Sequence, residues 1–153
     1  MFEDSILIAP GVPELDLLNG SAVGSSGGTS AHSIQARGGM FKNGFGMRAD
    51  INWRSGTDVF VDPSIGPSSD EDLYFSDLLT TNIGFFIDLG RRQSLVKRYP
   101  WLSGTRVSFR ADNIFNDRLE VRDGTGATPF AFQRDLIDPV GRTVEFEIRK
   151  AFL

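Results

Sequence analysis

The stretch FGMRADINWR, residues 45–54, decides the fold. Phe45, Met47, Ala49, Ile51 and Trp53 fall on one parity, and Gly46, Arg48, Asp50, Asn52 and Arg54 on the other. Side chains alternate faces along a strand, so every position of the stretch fits one two-faced template. A helix, with about 3.6 residues per turn, would scatter the same apolar residues around its circumference. The segment is therefore predicted as a β-strand with one apolar and one polar face.

The same pattern recurs on both sides. Upstream, HSIQARGGMF (32–41) sets Ile34, Ala36 and Met40 against Ser33, Gln35 and Arg37. Lys42-Asn43-Gly44 joins it to the first stretch, and Asn-Gly readily supplies the positive φ angles of a tight hairpin. Downstream, LTTNIGFFIDL (79–89) and TRVSFRADNIF (105–115) alternate in turn. The fifth run covers 143–152, where Val144, Phe146 and Ile148 alternate with Glu145, Glu147 and Arg149. Lys150 falls where that face is otherwise apolar. No convincing amphipathic helix emerges; QSLVKRYPWL (93–102) has room for one turn before Pro100.

Composition is that of an ordinary folded chain. The 153 residues suit one domain, and hydrophobic residues make up 40% of them, which argues against wholesale disorder. A formal net charge of -4 gives no electrostatic reason to expect nucleic acid as a partner. Without cysteine there is neither a disulfide framework nor a thiolate metal site. The opening MFEDSILIAPG lacks a basic region followed by an apolar one, so no signal peptide is expected in this chain.

Strand length carries the reading further. The later runs are each about eleven residues, and a tilted strand crosses a bilayer in ~9–11, whereas soluble strands average ~5–6. The polar faces carry Arg, Asp, Glu and Asn on strand after strand, as a barrel lumen would. The expectation is an all-β fold: about five long antiparallel strands of a transmembrane β-barrel in meander order, too few to close. With the chain terminus on the periplasmic side, the short KNG turn and segment 90–104 are periplasmic, and the long connections 55–78 and 116–141 are external. Arg91, Arg92, Lys97, Arg98, Tyr99 and Trp101 are then placed at the membrane interface. Residues 1–31, ending in GSAVGSSGGTS, read as loop or linker on the external side, and 32–153 as the barrel strands.

Several chemistry-bearing groups invite a sharper reading and receive a plainer one. The glycine-rich stretch 20–28 has no Gly-Lys-Ser/Thr and opens no helix, so it reads as a flexible loop rather than a phosphate cradle. Asp70, Glu71 and Asp72 lack EF-hand spacing and read as a solvated acidic loop. His32 is the only histidine and reads as a strand-edge residue. Arg106, Arg110, Glu145 and Glu147 are expected to pair across the sheet, with Arg110 within salt-bridge reach of an acid on the last strand. No catalytic set can be assembled from strand positions; no catalysis, cofactor or metal is expected.

The motifs carry a family likeness. VSFRADNIFNDR (107–118) followed by DPVGRTVEFEIRKAF (138–152) resembles the end of the barrel of TonB-dependent outer-membrane receptors. Asn113 and Phe115 match that family's N-[LI]-F-[DN] element, and Gly141 and Arg142 the G-R that opens the last strand. Phe152 corresponds to the terminal aromatic, although Leu153 follows it here. GGMFKNGFGMRADINWRSGT (38–57) and LIAPGVPELDLLNGSA (7–22) are similar to parts of the same barrel, so the likeness covers nearly the whole chain. The resemblance implies the carboxyl-terminal part of a receptor that imports a scarce solute such as a ferric siderophore across the outer membrane of a Gram-negative bacterium. It implies outer-membrane lipid, the remainder of the barrel, its plug, and the barrel-assembly machinery reading the terminal strand as partners. The inner-membrane energy-transducing complex would be met only through a missing amino-terminal region, so this piece alone would not transport. A soluble β-sheet carrier of a small ligand and a small outer-membrane protein forming a multi-chain barrel are the alternatives.

Overall fold

A computed structural model describes residues 5–7, 10, 15–22, 27–138 and 140–152. Of the loop or linker expected over 1–31, residues 1–4, 8–9, 11–14 and 23–26 lie outside them, as do Pro139 and Leu153. The strands are β1 (Ser5–Ile6), β2 (Leu15–Asp16), β3 (Ser33–Lys42), β4 (Phe45–Arg54), β5 (Thr57–Val59), β6 (Leu73–Phe75), β7 (Leu78–Asp88), β8 (Thr105–Asp112), β9 (Val121–Asp123) and β10 (Thr143–Lys150). Short helical segments interrupt them: α1 (Gln93–Arg98), α2 (Arg134–Ile137) and single 3₁₀ turns at Leu89–Arg91, Pro100–Leu102 and Phe130–Phe132. The expected all-β class holds. Residues 35–52, 80–117 and 141–153 make one compact unit, and 1–34, 53–79 and 118–140 another.

The long strands form an open sheet in the order β10-β8-β7-β4-β3. That order is the expected meander with five members. Each joint follows from local chemistry. Asn43 and Gly44 take φ of 50° and 80°, the left-handed pair that a two-residue hairpin needs, and so connect β3 to β4. Asp88 N–H donates to the Gly44 carbonyl at 2.6 Å, tying the end of β7 to that turn. β7 pairs with β8 and β8 with β10, both antiparallel.

Register fixes the two faces. Phe85, Phe109 and Phe146 are successive partners across three strands, and Ile87, Val107 and Ile148 form the next apolar row. Gly84, Arg110 and Glu145 form one row of the opposite face, and Asp88, Arg106 and Arg149 another. Toward β10 the apolar face is uncovered: Phe109 is 37% exposed, Val144 62%, Phe146 65% and Ile148 63%, while the apolar residues of β7 are half-buried and Ala111 is buried. An aqueous protein normally buries such a face, because each large apolar side chain gains about 1.5–3 kcal/mol by leaving water.

Two strand ends differ from expectation. β8 stops at Asp112 instead of 115, because Asn113 turns left-handed with φ of 51°. β10 stops at Lys150, not 152. Both are eight residues long, or about 27 Å at ~3.4 Å per residue. At the ~35–45° tilt of a barrel strand that length spans about 19–22 Å, short of a ~25 Å apolar band and of the ~9–11 residues expected.

The second unit holds structure that periodicity missed. Within the connection expected to be an irregular loop over 55–78, β5 and β6 pair, and β9 adds to β6. Three-residue strands are too short to display a period. Their core is Phe75 and Val121, both buried, with Phe132 edge-on to Phe75 at 5.6 Å. β1 and β2 form a separate two-residue ladder.

Candidate functional site

The polar face of the five-stranded sheet lines a groove of about 620 Å³. Its charges are ordered by the alternation that built the strands. Arg48 bonds Asp50 on its own strand at 2.7 Å, and Arg37 reaches the same carboxylate from β3. Gln35 donates to Asn52 Oδ1 at 2.9 Å beside them. On β10, Arg149 bonds Glu147 at 2.8 Å, and Ser108 of β8 donates to the other Glu147 oxygen at 3.2 Å.

Arg110 departs from expectation. It lies in register with Glu145 of the last strand, but its Nε donates to Asp112, two residues along β8, at 3.1 Å. Alternate residues of one strand share a face about 7 Å apart, and a long guanidinium spans that distance as readily as it crosses to the neighbouring strand. The pairing expected across β8 and β10 is thus replaced by pairing along each strand. Arg106 acts on Glu147 across the sheet at longer range without forming a salt bridge to it; its guanidinium stacks 3.7 Å over the Phe86 ring. Gly46 makes this possible, since a Cβ there would lie 2.3 Å from that ring. Phe41 stacks on Phe86 from the edge strand at 5.8 Å.

Of the five motif residues, four converge at one end of the sheet. Asn113 is buried, and its side chain closes a loop on itself: Nδ2 donates to the Asp117 carbonyl at 2.7 Å and Oδ1 accepts from Asp117 N–H at 3.1 Å. Its own N–H donates to Asn82 Oδ1 at 2.9 Å, and Ile114 N–H to the Thr81 carbonyl. Asn116, also left-handed with φ of 54°, accepts from Arg142 N–H at 3.0 Å. The Arg142 guanidinium donates to the Ile114 carbonyl, and Gly141 before it has φ of 58°. Asparagine tolerates the left-handed region better than other non-glycine residues, so N-I-F-N can turn twice. Phe115 projects from the turn, exposed. Phe152 lies beyond the far end of β10, 89% exposed.

The loop around Asp72 corrects another expectation. Asp70 and Glu71 are exposed, but Asp72 is fully buried. Its carboxylate accepts from the backbone N–H groups of Ser69 at 2.8 Å, Val61 at 2.8 Å and Ser68 at 2.7 Å. Those donors, Ser69 foremost, hold it below the usual carboxylate range. In sequence, a carboxylate that gathers loop amides looks the same as one in water, so S-S-D-E-D carried no sign of it. Asp72→Asn is expected to loosen this loop, seen as faster hydrogen exchange of the Val61, Ser68 and Ser69 amides, while Asp70→Asn leaves them protected. Because the folded-state pKa is lowered, the contribution is full above the unfolded value of about 3.9 and fades as pH falls from there through the lowered one. Acid titration of the same amides checks the sign.

These features define an all-β chain built on an open antiparallel meander, with an ion-paired face and an uncovered apolar face. No protein-family model, curated protein or solved structure matches it.

Proposed function

We propose that this chain is the carboxyl-terminal part of the transmembrane barrel of a TonB-dependent outer-membrane receptor, whose whole barrel and plug import a scarce solute such as a ferric siderophore. One observation carries the reading: large apolar side chains stay exposed on one face of β3, β4, β8 and β10, and only half-buried on β7, while most of the other face is charged or amide groups. Lipid accounts for the first face and an aqueous lumen for the second. Among the described residues, β3 and β10 each have a neighbour on one side only, and unpaired backbone groups cannot face hydrocarbon. Further strands of the same kind must therefore complete the sheet.

The 113–117 turn supports the same assignment. Of the residues that carried the resemblance, Asn113 closes the turn on Asp117, and Arg142 reaches that turn from the start of β10 through the Ile114 carbonyl and Asn116. With the chain terminus on the periplasmic side, this reading puts connections 55–78 and 116–141 outside and the Asn43-Gly44 turn and 90–104 in the periplasm. Alone, the piece neither transports nor catalyses; the barrel-assembly machinery, outer-membrane lipid and the remaining barrel are its partners.

The coding DNA upstream of Met1 tests the proposal. A frame that continues through further alternating strands to a plug domain is the expected result. An in-frame stop and ribosome-binding site immediately before Met1 would overturn it, in favour of a barrel assembled from several short chains.

A further inference from the structure

One end of the five-stranded sheet carries a concentration of positive charge that the lumen does not explain. Between Asp88 and Arg106 the chain has Arg91, Arg92, Lys97 and Arg98 and no acid. Lys42 precedes the hairpin turn at the same end. Among the described residues only Arg91 of these has an ion-pair partner, Asp88 at 3.5 Å, and it also lies 5.5 Å from the Phe41 ring. Around them stand exposed aromatics: Trp101 at 68% and Tyr99, with Arg98 over the Tyr99 ring at 5.6 Å.

The segment is held in place rather than trailing. Lys150 Nζ donates to the carbonyls of Trp101 and Ser103, and Ala151 N–H to the Gly104 carbonyl. These bonds dock the turn at 100–104 onto the end of β10. Asp88 N–H does the same for the hairpin side through Gly44. Arg91, Arg92, Gln93 and Ser94 then line an open pocket with Asn43 and Phe41, presenting guanidinium, amide and hydroxyl groups together.

From this arrangement we infer that the 89–104 end of the sheet binds the anionic headgroups of the phospholipid leaflet on that side of the membrane. The inference rests on the transmembrane reading and adds a lipid class to it. Continuity with the apolar face sets the depth: side chains that end a lipid-facing strand meet the headgroup layer directly. Guanidinium groups match phosphate oxygens in bidentate geometry, while Trp and Tyr suit the boundary between headgroup and acyl chain. A basic face without aromatics would equally suit a soluble anion; the exposed Trp101 and Tyr99 favour lipid.

The test uses the full chain mixed with vesicles of phosphatidylcholine alone or with about one-third phosphatidylglycerol, compared with the Arg91→Ala/Arg92→Ala/Lys97→Ala/Arg98→Ala variant. Trp53→Phe in both backgrounds leaves Trp101 as the sole tryptophan, read selectively by excitation at wavelengths too long for tyrosine. At a factor of about five per basic side chain near an anionic surface, removing four predicts that the parent partitions roughly 600-fold more strongly into the anionic vesicles than the variant. The two should partition alike into neutral ones. The Trp101 emission should shift to the blue, and added salt should weaken the difference. Equal partition of parent and variant into anionic vesicles would overturn the inference while leaving the barrel reading intact. Failure of both to enter any vesicle would sink the barrel reading and this inference with it. Loss of the preference on adding inorganic phosphate at constant ionic strength, or tighter binding to polyglutamate than to anionic vesicles, would overturn the lipid assignment in favour of a free anion or an acidic polypeptide.

Discussion

Arginine in place of Phe146 is expected to weaken insertion into a bilayer by about 2–4 kcal/mol, the cost of a cation at the midplane on the lipid face of a barrel strand. Arginine at Val144 or Ile148 should cost less, falling toward about 0–1 kcal/mol as the substitution approaches either end of the strand. The three sites make a controlled series because they lie on one face of one strand and have nearly equal exposure, 62%, 65% and 63% in chain order. In water, exposure governs the outcome, so all three would change stability by no more than about 0.5 kcal/mol. In lipid, depth governs it. A peak at Phe146 in urea titrations of the vesicle-inserted chain supports a membrane sheet, and a flat profile excludes it.

The apolar face was legible because alternation over ten residues leaves no competing template, and Asn43-Gly44 named its own turn. Length was less legible. The parity of T-R-V-S-F-R-A-D-N-I-F continues to Phe115, but Asn113 leaves the strand because its side chain offers the backbone a better set of partners than the ladder does. Such local competition is written in residue type, not in period. The charged face shows a related limit. Register set Arg110 opposite Glu145, yet guanidinium reach let Asp112 on its own strand take the bond. Parity says which face a charge occupies; which carboxylate it meets depends on side-chain length and rotamer. The small sheet of β5, β6 and β9 was illegible for a third reason, since three residues cannot show a period and its partners are distant in sequence.

The 113–117 turn gives the second large effect. Asn113→Ala removes both side-chain bonds to Asp117 and puts a Cβ-bearing residue without polar compensation at φ of 51°. Two hydrogen bonds at about 0.5–1.5 kcal/mol each, with a left-handed penalty of about 1 kcal/mol, sum to roughly 2–4 kcal/mol. Asn113→Gly separates the contributions, because it loses the same bonds but takes the left-handed conformation freely. It should recover about 1 kcal/mol relative to alanine in denaturant titrations of the chain refolded in detergent micelles. Arg142→Ala tests whether the turn also holds β10. That side chain reaches the Ile114 carbonyl at 3.3 Å, while the Arg142 N–H bond to Asn116 is a backbone bond the substitution leaves in place. Arg142→Ala should therefore cost no more than about 1–2 kcal/mol and spare the β8–β10 register. If Asn113→Ala proves no worse than Arg142→Ala, the asparagine is conformationally replaceable and the N-I-F-N segment does not set where β8 ends. If it proves worse and glycine recovers part of the loss, the motif that carried the resemblance acts by turning the chain. Its presence then follows from how a strand must leave this sheet.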